Sequence, residues 1–300
     1  MQYSITIRLF ALLLIGGIYA CQSAGESENS NDEKTEQSGP QINADTRIVS
    51  LNGTFTELLS ALGFEENIVG VDVTSTYPES IASVQKLGHV TGIKAEGLAA
   101  LNPDMVFVRK EELKPDLKNQ IEELGIELIA LEQEFTAEGT QNLIREVSSI
   151  LGKSEKGESL IKEMNAELSK VEPLENAPTV LFIYARGPGT LLVAGRKTPL
   201  QSIIHLAGGK NISAYFEDFK PLTSEALVGS NPDAILLFSS GKESLEQSIG
   251  LLAVPGVAET NAGKNKNFIN MNGLLLSGFG PRLGQATYEL NQKLKAISNN

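Results

Sequence analysis

Apolar runs too short for helices alternate with helical patterns along most of the chain. Residues 47–51, 67–72, 105–108 and 126–131 are rich in branched aliphatics and predict short strands. Between them, residues 54–62, 96–101 and 113–124 space their apolar positions as helices do, and Gly63 and Gly125 follow two of these as stop signals. The same alternation returns with strand patterns at 180–184, 191–194, 234–238 and 267–271, and a helix at 283–297 closes the chain. Strands alternating with helices predict an α/β fold of mostly parallel sheets with helices on their faces. Residues 138–171 form a long helical stretch that Gly152 divides and that Pro173 and Pro178 stop.

The chain also repeats itself. Lys94-Ala-Glu96-Gly-Leu-Ala-Ala-Leu-Asn102-Pro103-Asp104, leading into an apolar run, is echoed by Thr223-Ser-Glu225-Ala-Leu-Val-Gly-Ser-Asn231-Pro232-Asp233, leading into another. Strand, turn and Gly-closed helix over 49–63 find a second echo over 193–208. Two copies of one unit predict two similar lobes, and two lobes predict a ligand cleft between them. The long helical stretch lies between the copies. Lobes joined by one stiff helix are expected to move little.

The N-terminus follows other rules. Residues 1–20 hold one charge, Arg8, and an apolar run too short to span a bilayer, which fits a signal peptide. The run ends in Ile18-Tyr19-Ala20-Cys21, similar to a bacterial lipobox, and Cys21 is the sole cysteine. An intrachain disulfide is therefore impossible, and lipidation at Cys21 accounts for it better than a buried or incidental free thiol does. Residues 22–40 are polar and acidic, without aromatic or branched aliphatic side chains, and predict a flexible tether. The expected organisation is a signal peptide (1–20), an acylated Cys with a disordered tether (21–45), an N-terminal lobe (46–137), a helical connection (138–173) and a C-terminal lobe (174–300). Such a protein is exported and held at the extracytoplasmic face of a membrane by lipid.

The formal charge of −12 argues against nucleic acid, whose recognition needs Lys and Arg to displace counterions. Two His, no Gly-x-Ser-x-Gly elbow and no complete phosphate-binding loop argue against an enzyme and against a bare transition-metal binder.

From about Thr46 onward the chain resembles the ABC-importer substrate-binding proteins that have two Rossmann-like lobes and one linking helix, a class serving cobalamin, ferric siderophores and haem. The likeness to its haemin-binding group rests on Gly70-Val-Asp72-Val-Thr74-Ser75-Thr-Tyr77-Pro78-Glu79, on Ala95-Glu96-Gly97-Leu98, on Val193-Ala-Gly195-Arg196-Lys-Thr198, on Lys220 to Leu227, and on Gly278-Phe-Gly280-Pro281-Arg282.

This resemblance implies that haem is the transported ligand, with no catalytic cofactor, and that a permease and ATPase complex is the partner. It implies that Tyr77 binds the iron, a hard ferric ion suiting an anionic oxygen. Some relatives place a His in the loop after the first strand of the second lobe; here Arg186 stands there and suits a propionate. Arg282 is a second propionate candidate. Tyr184 and His89 are further candidate ligand contacts, while His205, inside a helical pattern, reads as structural. Phe55, Tyr215, Phe216, Phe219 and Phe279 are candidates to cover a macrocycle face. Glu96 and Glu225, one per lobe, are the expected docking contacts for importer arginines. A ferric siderophore or cobalamin is the alternative ligand.

Overall fold

A computed structural model describes residues 42–185, 191–248 and 250–299. The strands are β1 (Ile48–Ser50), β2 (Ile68–Val71), β3 (Gln85–Lys86), β4 (Met105–Arg109), β5 (Glu127–Leu131), β6 (Thr179–Ala185), β7 (Leu191–Ala194), β8 (Lys210–Asn211), β9 (Phe219–Pro221), β10 (Ala234–Phe238) and β11 (Phe268–Met271). The helices are α1 (Gly53–Leu62), α2 (Ala95–Ala99), α3 (Pro115–Glu123), α4 (Ala137–Ile150), α5 (Ser154–Leu168), α6 (Pro199–Leu206), α7 (Ser224–Ser230), α8 (Ser239–Ser248), α9 (Asn261–Asn265), α10 (Gly273–Ser277) and α11 (Leu283–Ser298).

The first sheet has the order β3-β2-β1-β4-β5 and is parallel throughout. The second has the order β11-β10-β6-β7-β9. There β6, β10 and β11 run parallel, whereas β7 pairs antiparallel with both β6 and β9. Both faces of each sheet are covered, which explains the unbroken apolar runs. Ile48, Met105 and Phe107 face one core, while Val49, Val106 and Val108 face another on the opposite side. The first of these cores continues through Ile144, Ile161 and Leu290 to Val180 and Phe182 of the second sheet.

The Asn-Pro-Asp repeat is a structural staple in each lobe. Asn102 and Asn231 take left-handed φ values of 43° and 44°, and Pro103 and Pro232 prevent the helix from resuming. Oδ2 of Asp104 accepts the backbone N–H of Arg47 at 2.7 Å, and Oδ2 of Asp233 accepts that of Thr179 at 2.9 Å. Each aspartate thus secures the entry to its lobe's central strand. This makes β6 the counterpart of β1. The second echo had matched 193–208 to 49–63, but β7 is antiparallel to its neighbours where β1 is parallel to both, so those segments share an order of elements and not a place in the sheet.

The helical stretch between the lobes is a hairpin. It turns at Gly152, whose φ is 64°. Across it Gln141 donates to Asn165 at 3.1 Å and Arg145 to Glu158 at 2.7 Å. Helix α5 then packs against α11, where a side chain on Gly284 would collide with the Met164 carbonyl and the Glu167 side chain.

Candidate functional site

Strands β1, β4, β6, β10 and β11 deliver their carboxyl ends to one cleft, the usual ligand location in open α/β sheets. Arg109 ends β4, Tyr184 lies next to last in β6, Phe238 ends β10, and Asn52 and Asn272 follow β1 and β11. All line a cavity of about 720 Å³, a size that suits a bulky small molecule. One wall carries His89, Arg109 and Phe135, the other Tyr184, Phe219 and Phe238. Tyr184 sits among aromatics, 5.6 Å from Phe238 and 6.2 Å from Phe219 between ring centroids.

The loop bearing Tyr77 is built on a buried polar network. Asp72 is 1% exposed; it accepts from the Thr74 hydroxyl at 2.6 Å and from the Ser75 hydroxyl at 2.7 Å. The Ser75 hydroxyl meets that of Thr56 at 2.7 Å, and Thr56 donates to Ser50 at 2.8 Å. Lys86 donates to the Ser75 carbonyl at 2.6 Å. A satisfied network of this kind fixes the backbone it serves. Gly53 is required beside it, because any side chain there would meet the Thr74 carbonyl oxygen at 2.6 Å.

Tyr77 itself is 42% exposed, and its bond to Pro78 is cis. Its neighbour Thr76 lines the main cleft, whereas the Tyr77 ring lines an adjoining cavity of about 290 Å³ with Glu57, Leu160 and Arg282. The Arg282 guanidinium carbon lies 3.5 Å from the Tyr77 ring centroid, a close cation–π stack. Arg282 is held there by Glu57, which is 5% exposed and accepts from Nε at 2.9 Å and Nη2 at 2.7 Å. A two-pronged pair of this kind fixes both position and orientation. Glu57 thus takes the Nε–H and one Nη2–H of Arg282, two of the five N–H donors that a guanidinium carries.

His89 is exposed on the cleft wall and caps a short turn, its Nδ1 accepting from the Thr91 backbone at 3.4 Å. His205 is exposed in the last turn of α6 and does not line the cleft. Arg186, Cys21 and the proposed tether up to residue 41 lie outside the described residues, whereas Asn43, in the last part of that tether, accepts from the Asn67 side chain at 2.9 Å. Glu96 and Glu225 both open short helices, α2 and α7, and both are exposed. The Glu225 carboxyl is held below the usual range by the first-turn backbone N–H and the hydroxyls of Thr223 and Ser224.

Among the five aromatics expected to cover a macrocycle face, only Phe219 lines the cleft. Phe55 and Phe279 are core residues, Phe216 is buried beneath Gly195, and Tyr215 is 70% exposed away from the cleft. Periodicity had no means of separating them, because each belongs to an apolar run and only the fold decides which end reaches the cavity. Phe135, Phe238 and Arg109 also line the cleft, and each lies at or just beyond the carboxyl end of an expected strand, which is the sequence signal that finds them.

The model of a family described as periplasmic binding protein matches residues 48–273. The chain belongs to the periplasmic binding protein family. A periplasmic haem-binding protein, RhuT, from Roseiflexus sp. RS-1 in apo form is 36% identical, covers 85% of this chain and 99% of its own, and superposes with a TM-score of 0.80. The haem-binding protein BhuT, solved with two haems, is 30% identical over 84% of this chain and 98% of its own, with a TM-score of 0.77. Among curated relatives, the ABC transporter substrate-binding lipoprotein YvrC of Bacillus subtilis (strain 168) is 26% identical over 88% of this chain and 83% of its own. A vitamin B12-binding protein of Vibrio campbellii is 27% identical over 65% of this chain and 70% of its own. Members of this family bind and deliver a solute, and this periplasmic binding protein is a substrate-binding component of an ABC importer, not an enzyme. No helix among its described residues is long and apolar enough to cross a membrane.

Proposed function

We propose that this protein captures haem in the interlobe cleft and delivers it to the importer's permease. The observation that carries this reading is the exposed Tyr77 phenol beside the cleft, stacked on a guanidinium that a buried Glu57 immobilises. A phenolate oxygen suits ferric iron. Tyr184 from the opposite lobe, with Arg186 two residues on in sequence, is the second candidate contact, and His89 is a third. Likeness to two haem-binding structures over more than four-fifths of this chain supports the ligand class.

Glu96 and Glu225 serve as permease-docking charges in this reading, and Cys21 carries the lipid that holds the exported protein at the membrane. The lipoprotein relative supports the anchor. The proposed organisation keeps 1–20 as signal peptide, 21–45 as acylated tether, 46–137 and 174–300 as lobes, and 138–173 as their connection.

Cobalamin is the second reading, favoured by the similarity to a vitamin B12-binding protein. Visible-absorption titrations with haemin and with cyanocobalamin decide between them. Saturable haemin binding with a ferric–phenolate spectrum that is lost in Tyr77→Phe supports the haem reading. Saturation by cyanocobalamin alone overturns it.

A further inference from the structure

Arg109 has no part in the motifs that pointed to haem, yet it stands in the wall of the cleft. It ends β4 and its side chain is 22% exposed. Its guanidinium carbon lies 5.7 Å from the Phe135 ring centroid, and Phe135 packs edge-on to the buried Phe279 at 5.5 Å. The cation therefore rests on a rigid aromatic stack. Glu112 meets Nη2 at 3.1 Å, and Glu111 stays 3.7 Å from Nε. No described residue accepts a hydrogen bond from Nε, although that atom is buried. A guanidinium carries five N–H donors in a fixed fork, and buried donors are almost always satisfied. This one has an incomplete set of acceptors and faces a ligand cavity.

The other charged groups along the cleft are committed or acidic. Lys197 pairs with Glu217 at 3.0 Å, and Asp218 is an anion. Gln133 already donates to the Gly278 carbonyl at 2.7 Å. Arg109 is thus the cleft cation whose donors are least occupied among the described residues.

We propose that Arg109 recognises a carboxylate of the bound macrocycle and so selects ligands with free acids over those whose acids are amidated. This rests on the haem reading and sharpens it: haem carries two propionates, whereas the peripheral acids of a corrinoid are amides and leave a fixed cation without a counter-charge. The planar fork matches a carboxylate in two-pronged fashion, with the ligand sharing the guanidinium with Glu112 or displacing it.

The test compares haemin with haemin dimethyl ester on the wild-type protein and on Arg109→Gln, Arg109→Lys and Glu112→Gln, with melting curves for each. A hydrogen bond to a charged group predicts haemin weakened about 10- to 100-fold in Arg109→Gln. The ester should bind wild type and variant alike. Arg109→Lys should recover part of the loss, and Glu112→Gln should bind haemin at least as well as wild type. Equal weakening of haemin and ester in Arg109→Gln, or no weakening of either, overturns the assignment while the haem reading stands. Wild-type protein that binds neither probe overturns the haem reading, and this inference with it.

Discussion

The Arg282 guanidinium carbon sits over the Tyr77 ring, 3.5 Å from its centroid, and the buried Glu57 keeps it there with two hydrogen bonds. The three residues come from a loop, the turn before α11 and the middle of α1, far apart in sequence, and no single motif contains them.

Tyr77 is exposed, so removing its hydroxyl should leave the fold intact. Tyr77→Phe is expected to lose the phenolate charge-transfer absorption on haemin addition and to weaken binding at least tenfold, about 1.4 kcal/mol or more. Unchanged absorption would move the phenolate ligand to Tyr184, and binding that survives without that absorption would point to His89.

Glu57→Ala strands the Arg282 guanidinium, whose side chain is only 21% exposed. Losing one partner of a buried pair costs about 3–5 kcal/mol. In a protein of this size that is a melting temperature lower by on the order of ten degrees. The haemin spectrum of Glu57→Ala should also change, because Tyr77 loses the surface it stacks on. An unchanged melting point would show that the pair contributes nothing net.

Reversing the two exposed charges should separate binding from delivery. Glu96→Lys with Glu225→Lys is expected to leave haemin affinity within twofold while abolishing salt-sensitive association with a permease reconstituted in nanodiscs. Equal loss of haemin affinity would argue against a docking role.

Asp233 predicts an acid limb in stability. Burial pushes its carboxyl pKa up, but hydrogen bonds from the Thr179 backbone and hydroxyl and from Asn261 outweigh this and hold it below the usual value. A folded-state pKa below the unfolded one stabilises above the unfolded pKa of about 3.9 and stops doing so as pH falls through the folded value. The melting-temperature gap between wild type and Asp233→Asn should therefore be largest near neutrality and shrink below about pH 4. A gap independent of pH would contradict this.

Gly284 sets how closely α11 approaches α5. A methyl group there meets the Glu167 Cβ at 2.6 Å and the Leu168 nitrogen at 3.1 Å. Gly284→Ala should lower stability by about 1–3 kcal/mol, as overpacking does, even though Ala is the better helix former. A gain in stability on denaturant titration would mean that the helices separate freely.

The sequence by itself determined the α/β class, the positions of β1, β2, β4, β5, β6, β7, β10 and β11, the two-lobe repeat, the break at Gly152 and the haem-binding family likeness. These are local or additive properties: branched runs, helical spacing, glycines with positive φ, and an Asn-Pro-Asp signature that recurs because each copy performs the same staple at Arg47 and Thr179. Only the tertiary structure decided that β6 and not β7 is the counterpart of β1, since strand direction depends on long-range pairing. It alone placed Phe55 and Phe279 in the core and Phe135 and Phe238 on the cleft, because an apolar run does not encode which neighbour it meets. It alone also joined Glu57 to Arg282, 225 positions apart. A buried ion pair leaves no trace in periodicity, and only the packing of α1 against the chain before α11 brings its charges together.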